Sequence, residues 1–395
     1  MWQTLSGEDP GKEETDEGRR VVKLLLVTFS DNADHQDTVF GMYEELRKDR
    51  DIDVCLLAIK APKVPLKKSS HTWLVDCPKR PGITKKTFDL PLLHSIVSRV
   101  KKAHFDAIWF ESLHVWNLPI MKAVKGKTHI YHVIHEVIPH EGDRQVKGVD
   151  FFNKTLVKLA DTIVLRNKTY IPAMIDRYHI SPDRVKYMEL WRRYPGYTEP
   201  TYSKRVLFFG RINPYKGADN LLKIVRLCPD VSFDVVGRVD PEMEDVVKEL
   251  SKESNVRLET GYVSDEEMKK VFVNADWAIV PYNSASQSGI IIDAYKYSRP
   301  VIAFDVGAIA EQVDEGKSGY LIPPSDIEAF SKAVIKAVNI SQEEYDEMSK
   351  FAYTYGNKKY GVAGATDRFV RLIRGGWYHR SEIIPALSDP YLGAA

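Results

Sequence analysis

Residues 205–227 read RVLFFGRINPYKGADNLLKIVRL. Arg205–Phe209 is a short apolar run with the length of a buried strand. Gly210 and the Asn213-Pro214 pair interrupt it. From Ala218 to Leu227 apolar residues return at helical spacing. A strand, a glycine turn and a helix in so short a span make the first part of a βαβ unit.

The same alternation continues in both directions. Downstream, strands are expected at Phe233–Gly237, Val256–Glu259, Trp277–Pro281, Pro300–Phe304 and Ser318–Ile322. Helices are expected at Pro241–Glu253, Asp265–Asn274, Gly289–Tyr297 and Asp326–Val338, with a short one at Ile309–Val313. Ser264 and Glu267 have the spacing of a capping box, which places a helix start between them. Upstream, strands are expected at Val21–Val27, Val54–Ile59, Ala107–Phe110, Thr128–His135 and Thr162–Leu165. Helices fall at Val39–Leu46, Leu92–Val100 and Phe151–Ala160. The strands are continuous apolar runs rather than alternating ones, the mark of parallel strands covered on both faces. The expected fold class is α/β, with two Rossmann-like doubly wound domains facing a central cleft. Such sheets bind ligands beyond the carboxyl ends of their strands.

With 395 residues the chain is long enough for two domains. Both periodicities lapse near Trp191–Ser203. The expected organisation is a flexible polar leader over 1–20, an N-terminal domain over 21–195 and a C-terminal domain over 196–375. A tail over 376–395 has the reach to pack back on the N-terminal domain. A net charge of +1 excludes a strong global field. The leader lacks the basic start and apolar run of a signal peptide, and no apolar run reaches membrane-spanning length. The three cysteines, Cys55, Cys77 and Cys228, are widely spaced and suggest neither a disulfide framework nor a zinc site. A reducing, cytoplasmic setting is expected.

Two segments of the C-terminal half suit an anionic ligand. Arg211 and Lys216 follow the strand ending at Phe209, so two cations would stand at the carboxyl end of the sheet, where a diphosphate could be held. A solvated loop with ordinary surface charges would look similar. The small residues of Ser284–Ser288 lead into a helix, and the amides of Ser288, Gly289 and Ile290 would point at an anion. Asp293, one turn further, is placed to accept from a ribose hydroxyl. Gly237, Arg238 and Val263 follow two other strands and would flank a nucleotide base. In the N-terminal half, His135 ends an apolar strand and is followed by Glu136 and His140. The turn after the first strand carries Asp34 and His35. Asp34 and His35 are polar, turn-forming residues, and Glu136 and His140 are ionisable groups just past a strand end.

These segments, with Pro300–Glu311, resemble glycosyltransferase family 4, the retaining enzymes of GT-B fold. Phe208–Gly217 matches its F-x-G-R-x-x-x-x-K-G element, and Asp293-Ala294 stands where the second Glu of an E-x7-E motif and its Ala usually stand. Ser298–Ala303 matches G-x-P-V-I-A with Ser for Gly, and Glu311-Gln312-Val313 matches E-x-V. Tyr131–His140 is similar to the H-D-x-x-P-H segment, with Glu136 for Asp. The first Glu is missing, since Ala285 holds its place, so the likeness is to a subgroup without it. The resemblance covers about residues 204–338.

The resemblance implies a retaining hexosyltransferase that uses a UDP- or GDP-sugar, with Arg211, Lys216 and His135 in catalysis. It acts on a hydroxyl of a glycan or lipid-linked acceptor, as in polysaccharide biosynthesis, with Asp34, His35, Glu136 and His140 as candidates for acceptor binding. It also implies no metal and no cofactor beyond the donor. Two other readings stay open: a sugar-nucleotide-binding protein without transfer activity, supported by the missing Glu, and a nucleotide-sugar epimerase. Residues 60–102 are rich in Lys and Arg with interleaved apolar side chains, which suits peripheral contact with an anionic membrane. No recognition motif supports a nucleic-acid partner.

Overall fold

The computed structural model describes residues 21–79, 82–138, 146–197, 199–200 and 202–378. The leader, His140 and nearly all of the expected tail lie outside them.

The first domain runs β1 (Val22–Thr28), α1 (Ala33–Leu46), β2 (Ile52–Ile59), β3 (Thr72–Val75), α2 (Leu90–Ala103), β4 (Ala107–Phe110), α3 (Asn117–Val124) and β5 (His129–Ile134). It continues with α4 (Val146–Leu159), β6 (Thr162–Leu165), α5 (Ile171–Tyr178) and β7 (Val185–Tyr187). The second runs β8 (Arg205–Phe209), α6 (Ala218–Leu227), β9 (Ser232–Gly237), α7 (Glu244–Leu250), β10 (Val256–Thr260), α8 (Asp265–Asn274), β11 (Trp277–Val280) and α9 (Gly289–Lys296). Then come β12 (Val301–Phe304), β13 (Gly319–Ile322), α10 (Ile327–Val338), α11 (Gln342–Tyr360) and α12 (Val362–Tyr378).

Both sheets are parallel throughout. Their orders are β3-β2-β1-β4-β5-β6-β7 and β10-β9-β8-β11-β12-β13. Each sheet reverses direction at one point, between β1 and β4 in the first and between β8 and β11 in the second. The loops after those strands splay apart there and leave a crevice. The burial of β1 explains its unbroken apolar run. Leu25 and Val27 enter one core layer, while Val22, Leu24 and Leu26 enter the other.

The domain boundary differs from expectation. The C-terminal domain ends at Gly361, not near residue 375. Arg192 and Gly361 lie side by side as a parallel bridge where the chain crosses between domains in both directions. Beyond it α12 packs on the first domain. Its Ala365, Phe369 and Ile373 join the core layer beneath β1 and β2, and Phe369 meets the Trp109 ring edge-on at 4.9 Å. An apolar stripe at helical spacing needs a sheet face to cover it, and the face left open between α1 and the chain crossing supplies one. The crossing back thus begins before the expected tail.

Candidate active site

The turn after β8 is shaped by close backbone approach. A methyl group placed on Gly237, at the end of β9, would lie 1.8 Å from the Gly210 carbonyl oxygen. Glycine there lets the ends of β8 and β9 come together. The role of Gly237 is therefore structural, with no side chain to offer a base. Gly217 has φ of 72°, and a methyl group on it would lie 1.9 Å from the Pro281 carbonyl oxygen. This seats the start of α6 against the end of β11, across the point of reversal.

Lys216 is half-buried in that turn. Its Nζ lies over Gly210, 2.8 Å from where a side chain on that glycine would begin, and 5.4 Å from the centre of the Tyr282 ring. Burial holds its ammonium below the ordinary lysine range, against the opposing pull of Tyr215. The neighbouring Arg211 charge adds to the depression, while Asp34 and Asp293 act in the opposite sense. Arg211 Nε lies 3.5 Å from Asp240 Oδ2 and Arg238 Nη2 lies 3.9 Å from Asp240 Oδ1, so one carboxylate holds both arginines. The backbone joins the two segments too: Ile212 N–H donates to Arg238 O at 2.8 Å. Arg211, Lys216 and Arg238 therefore cluster at the carboxyl end of β8 and β9. Gly261 N–H donates to Gly237 O, which brings the end of β10 alongside. Tyr262 stands there 78% exposed, with Val263 half-buried behind it.

The start of α9 departs from expectation in two ways. The Ser288 amide is not open to a ligand. It donates to Gln312 Oε1 at 2.6 Å, and Gln312 Nε2 donates back to Ser288 O at 2.9 Å. A primary amide presents a donor and an acceptor side by side, so it clamps one residue's backbone at both ends. This leaves Gly289 and Ile290 at the mouth of the helix. Asp293 is not poised for a ribose hydroxyl either. It is buried, and its Oδ1 accepts from Arg192 Nε at 3.2 Å. Burial pushes its carboxyl above the ordinary range, against the pull of Arg192. With a side chain shorter than Glu, this carboxylate stays at the helix flank, where the guanidinium takes it.

Arg192 is one residue that sequence reasoning missed. Its Nη2 lies 3.4 Å from Asp34 Oδ1, and its Nη1 donates to Thr38 Oγ1 at 3.3 Å. A methyl group on Gly289 would lie 3.4 Å from the same Nη2. One guanidinium therefore spans the first turn of α1 and the start of α9, its charge taken by Asp34 on one side and Asp293 on the other.

Asp34 and His35 lie on helix α1, not in a turn. The Asn32 side chain accepts from both amides and starts the helix well before Val39. The Asn cap satisfies amides that the apolar pattern does not reveal. His35 stacks on His135, ring centres 4.8 Å apart and 12° from parallel. His35 Nδ1 is 3.1 Å from Ser30 Oγ. His135 Nε2 donates to the Glu111 carbonyl at 2.7 Å. Glu136 is half-buried in the next position.

Glu111 was also missed. It follows β4 at the point of reversal and is fully buried. Its carboxylate accepts from Trp109 Nε1 at 2.9 Å and forms an ion pair with the equally buried Arg166. Arg166 donates on to Met188 O and Glu189 O and lies 4.6 Å from the centre of the Trp191 ring. Behind His135, then, stands a buried ion-pair network that fixes the imidazole's place. A charged residue directly after a four-residue apolar strand was the available signal. His132, three residues earlier on β5, is buried beside Asn117, and burial pulls it down to about 3, so it stays neutral.

A second set of contacts joins the domains. Glu311 accepts from the amides of Lys168 and Thr169, at 2.9 and 2.6 Å. Asn167 Nδ2 donates to Ser286 O at 2.8 Å. Ala285, where the resemblance leads one to look for Glu, is buried, and its carbonyl accepts from Ala308 N–H. Among the described residues no cluster suited to a metal ion is present, and no helix is long and apolar enough to cross a membrane.

Residues 203–339 match the family model described as glycosyl transferases group 1. The chain is 26% identical over 211 residues to a GDP-mannose:glycolipid 4-beta-D-mannosyltransferase of Xanthomonas campestris, covering 50% of this chain and 57% of that one. It is 26% identical over 167 residues to a D-inositol 3-phosphate glycosyltransferase of Mycolicibacterium smegmatis, covering 40% and 38%. The chain spans about half the length of the curated relatives it matches. Among solved structures, Anabaena HepE in complex with UDP superimposes with a TM-score of 0.66 at 15% identity, over 90% of this chain and 100% of that one. Sucrose-phosphate synthase from Thermosynechococcus elongatus gives 0.66 at 16% identity, over 91% and 100%. The two facing Rossmann-like domains are those of the GT-B fold, and residues 203–339 of the second are similar to the glycosyl transferases group 1 family.

Proposed function

We propose that the chain is a glycosyltransferase that moves a hexose from a UDP- or GDP-sugar to a hydroxyl of a glycan or lipid-linked acceptor, with retention. The observation that carries this reading is the cluster of Arg211, Lys216 and Arg238 at the reversal point of a sheet that matches the group 1 family. The mannosyltransferase named above, which acts on a glycolipid by its name, supports the acceptor class.

The donor diphosphate would lie over Gly210 against Lys216 and Arg211, with the amides of Gly289 and Ile290 opposite. The base would lie by Arg238, against the exposed ring of Tyr262. As the anomeric C–O bond breaks, its electron pair passes to the diphosphate oxygen, and these cations stabilise the charge that develops there. No metal is required for that. The acceptor hydroxyl approaches from the N-terminal side, past His35 and Glu136, and bonds to the anomeric carbon on the face the diphosphate leaves. Its proton passes to the departing oxygen. His135, held by Glu111, binds a sugar hydroxyl. The basic segment over 60–102 would bring the protein to an anionic membrane from the cytoplasmic side.

The test is incubation with radiolabelled UDP- and GDP-sugars and a lipid-linked acceptor, with the anomeric configuration of the product read by proton NMR. Transfer with the donor's configuration kept supports the proposal. Nucleotide binding with neither transfer nor donor hydrolysis makes the chain a binding protein instead. Inverted product would refute retention alone.

A further inference from the structure

A cavity of about 790 Å³ opens in the N-terminal domain beyond the ends of β2 and β3. Its walls carry Lys60, Lys63, Lys79, Lys85 and Lys86. Only two acids, Asp31 and Asp76, line it as well. Asp76 is taken by Lys86, whose Nζ lies 2.7 Å from both its oxygens, and Asp31 lies 3.8 Å from Lys79. Among the described residues Lys60, Lys63 and Lys85 have no carboxylate partner, so the cavity keeps a net positive charge. A concave basic wall concentrates anions more strongly than the same charges on a convex surface.

The cavity has a firm floor. Cys77 and Pro78 form part of it. His114 donates from Nε2 to Pro78 O at 3.0 Å and accepts the Trp116 amide on Nδ1 at 3.1 Å. Burial pulls His114 down to about 4, so this neutral form persists through the physiological range. Burial pushes the Cys77 thiol up to about 12, so it brings no negative charge.

Two further features say what enters. On one side Asp31 adjoins the first turn of α1, whose His35 stacks on His135, so a group held in the cavity lies next to the proposed acceptor approach. On the other side a short segment exposes Ile83 (76%), Phe88 (79%) and Leu90 (63%). Three large apolar side chains left in water beside a lysine-lined cavity fit a surface that is both anionic and apolar.

We infer that this cavity is the subsite for the diphosphate of a membrane lipid that carries the acceptor sugar, with Ile83, Phe88 and Leu90 dipping into the bilayer beside it. The inference rests on the transferase reading above and adds the chemical class of its acceptor. The lysines hold the diphosphate, the apolar segment holds the chain, and the sugar extends past Asp31 toward His35 and His135.

The experiment measures binding of farnesyl diphosphate and of inorganic diphosphate to the full chain, with saturating UDP or GDP present to occupy the donor site. Farnesyl diphosphate should bind at least tenfold more tightly than inorganic diphosphate. The variant Lys60→Ala/Lys63→Ala/Lys85→Ala should weaken it at least tenfold while nucleotide affinity stays within twofold, which also reports that the variant folds. A control, Lys67→Ala/Lys68→Ala/Lys101→Ala, removes three charges from the same basic segment off the cavity and should change it less than threefold. Ile83→Ser/Phe88→Ser/Leu90→Ser should remove the preference for the prenylated ligand. Unchanged binding in the cavity variant overturns the inference, as does an equal loss in the control, which would mean attraction to the segment's charge at large. Equal affinity for the two diphosphates would make the ligand a free anion and overturn the lipid. Failure of the transferase reading shows separately, as absence of nucleotide binding or of sugar transfer.

Discussion

Arg192 Nε lies 3.2 Å from Asp293 Oδ1, and the two side chains are almost wholly buried where the domains meet. The guanidinium leaves the chain crossing, reaches Asp34 and Thr38 on α1, and meets the carboxylate on α9. A buried pair contributes little net stability by itself, yet removing one partner leaves the other charge stranded, at about 3–5 kcal/mol. Arg192→Met should therefore lower stability by about that amount in urea unfolding. Arg192→Met/Asp293→Asn should recover part of the loss. A double variant no more stable than the single one would show that the carboxylate is not what the arginine balances.

Glu111 should act on catalysis through His135. Glu111→Gln keeps the backbone carbonyl that accepts from Nε2 but removes the charge beside it and strands Arg166. The expected outcome is a kcat lower by about tenfold, roughly 1.4 kcal/mol, with the KM for the donor within twofold. A purely structural role would lower the amount of folded enzyme and leave kcat per folded molecule unchanged. Active-site titration with a tight nucleotide distinguishes the two.

Tyr262 offers an exposed ring at the end of β10, next to Gly237 and Arg238. Stacking of a base on an aromatic ring is worth about 1–3 kcal/mol. Tyr262→Ala should loosen nucleoside diphosphate binding by about tenfold and Tyr262→Phe should leave it unchanged. If the Ala variant binds as the parent does, the base lies elsewhere.

Donor affinity should depend on pH through Lys216. Burial depresses its ammonium, and the diphosphate binds the charged form. Affinity should hold at low pH and fall as the pH rises through the depressed value, below the range where an ordinary lysine titrates. Lys216→Arg, whose guanidinium stays charged, should abolish that fall. Calorimetry across the alkaline range checks both, and a fall that persists in the Arg variant would assign it to another group.

Much of the second domain was legible because its strands are apolar runs closed by Gly, Pro or Asp. Arg205–Phe209 and the capped helix Asp265–Asn274 have the expected bounds. The first domain was harder. β3 is an edge strand, only half-buried among lysines, so its pattern is faint. The first turn of α1 is polar and owes its helix to the Asn32 cap rather than to an apolar stripe. The cations after β8 were legible, since position relative to a strand end is local information. The engagement of Ser288 by Gln312 and of Asp293 by Arg192 was not, because the partners lie 24 and 101 residues apart. Only the packing of one domain on the other brings Arg192 to α9.

The account stands most directly on Lys216. The measurement is the affinity of UDP and of GDP for the chain and for Lys216→Ala, by calorimetry at neutral pH with the fold checked by circular dichroism. Whichever nucleotide binds the parent should bind the variant about ten- to a hundredfold more weakly, a loss of about 1.4–2.7 kcal/mol. An affinity that survives the substitution would contradict the placement of the donor diphosphate over Gly210.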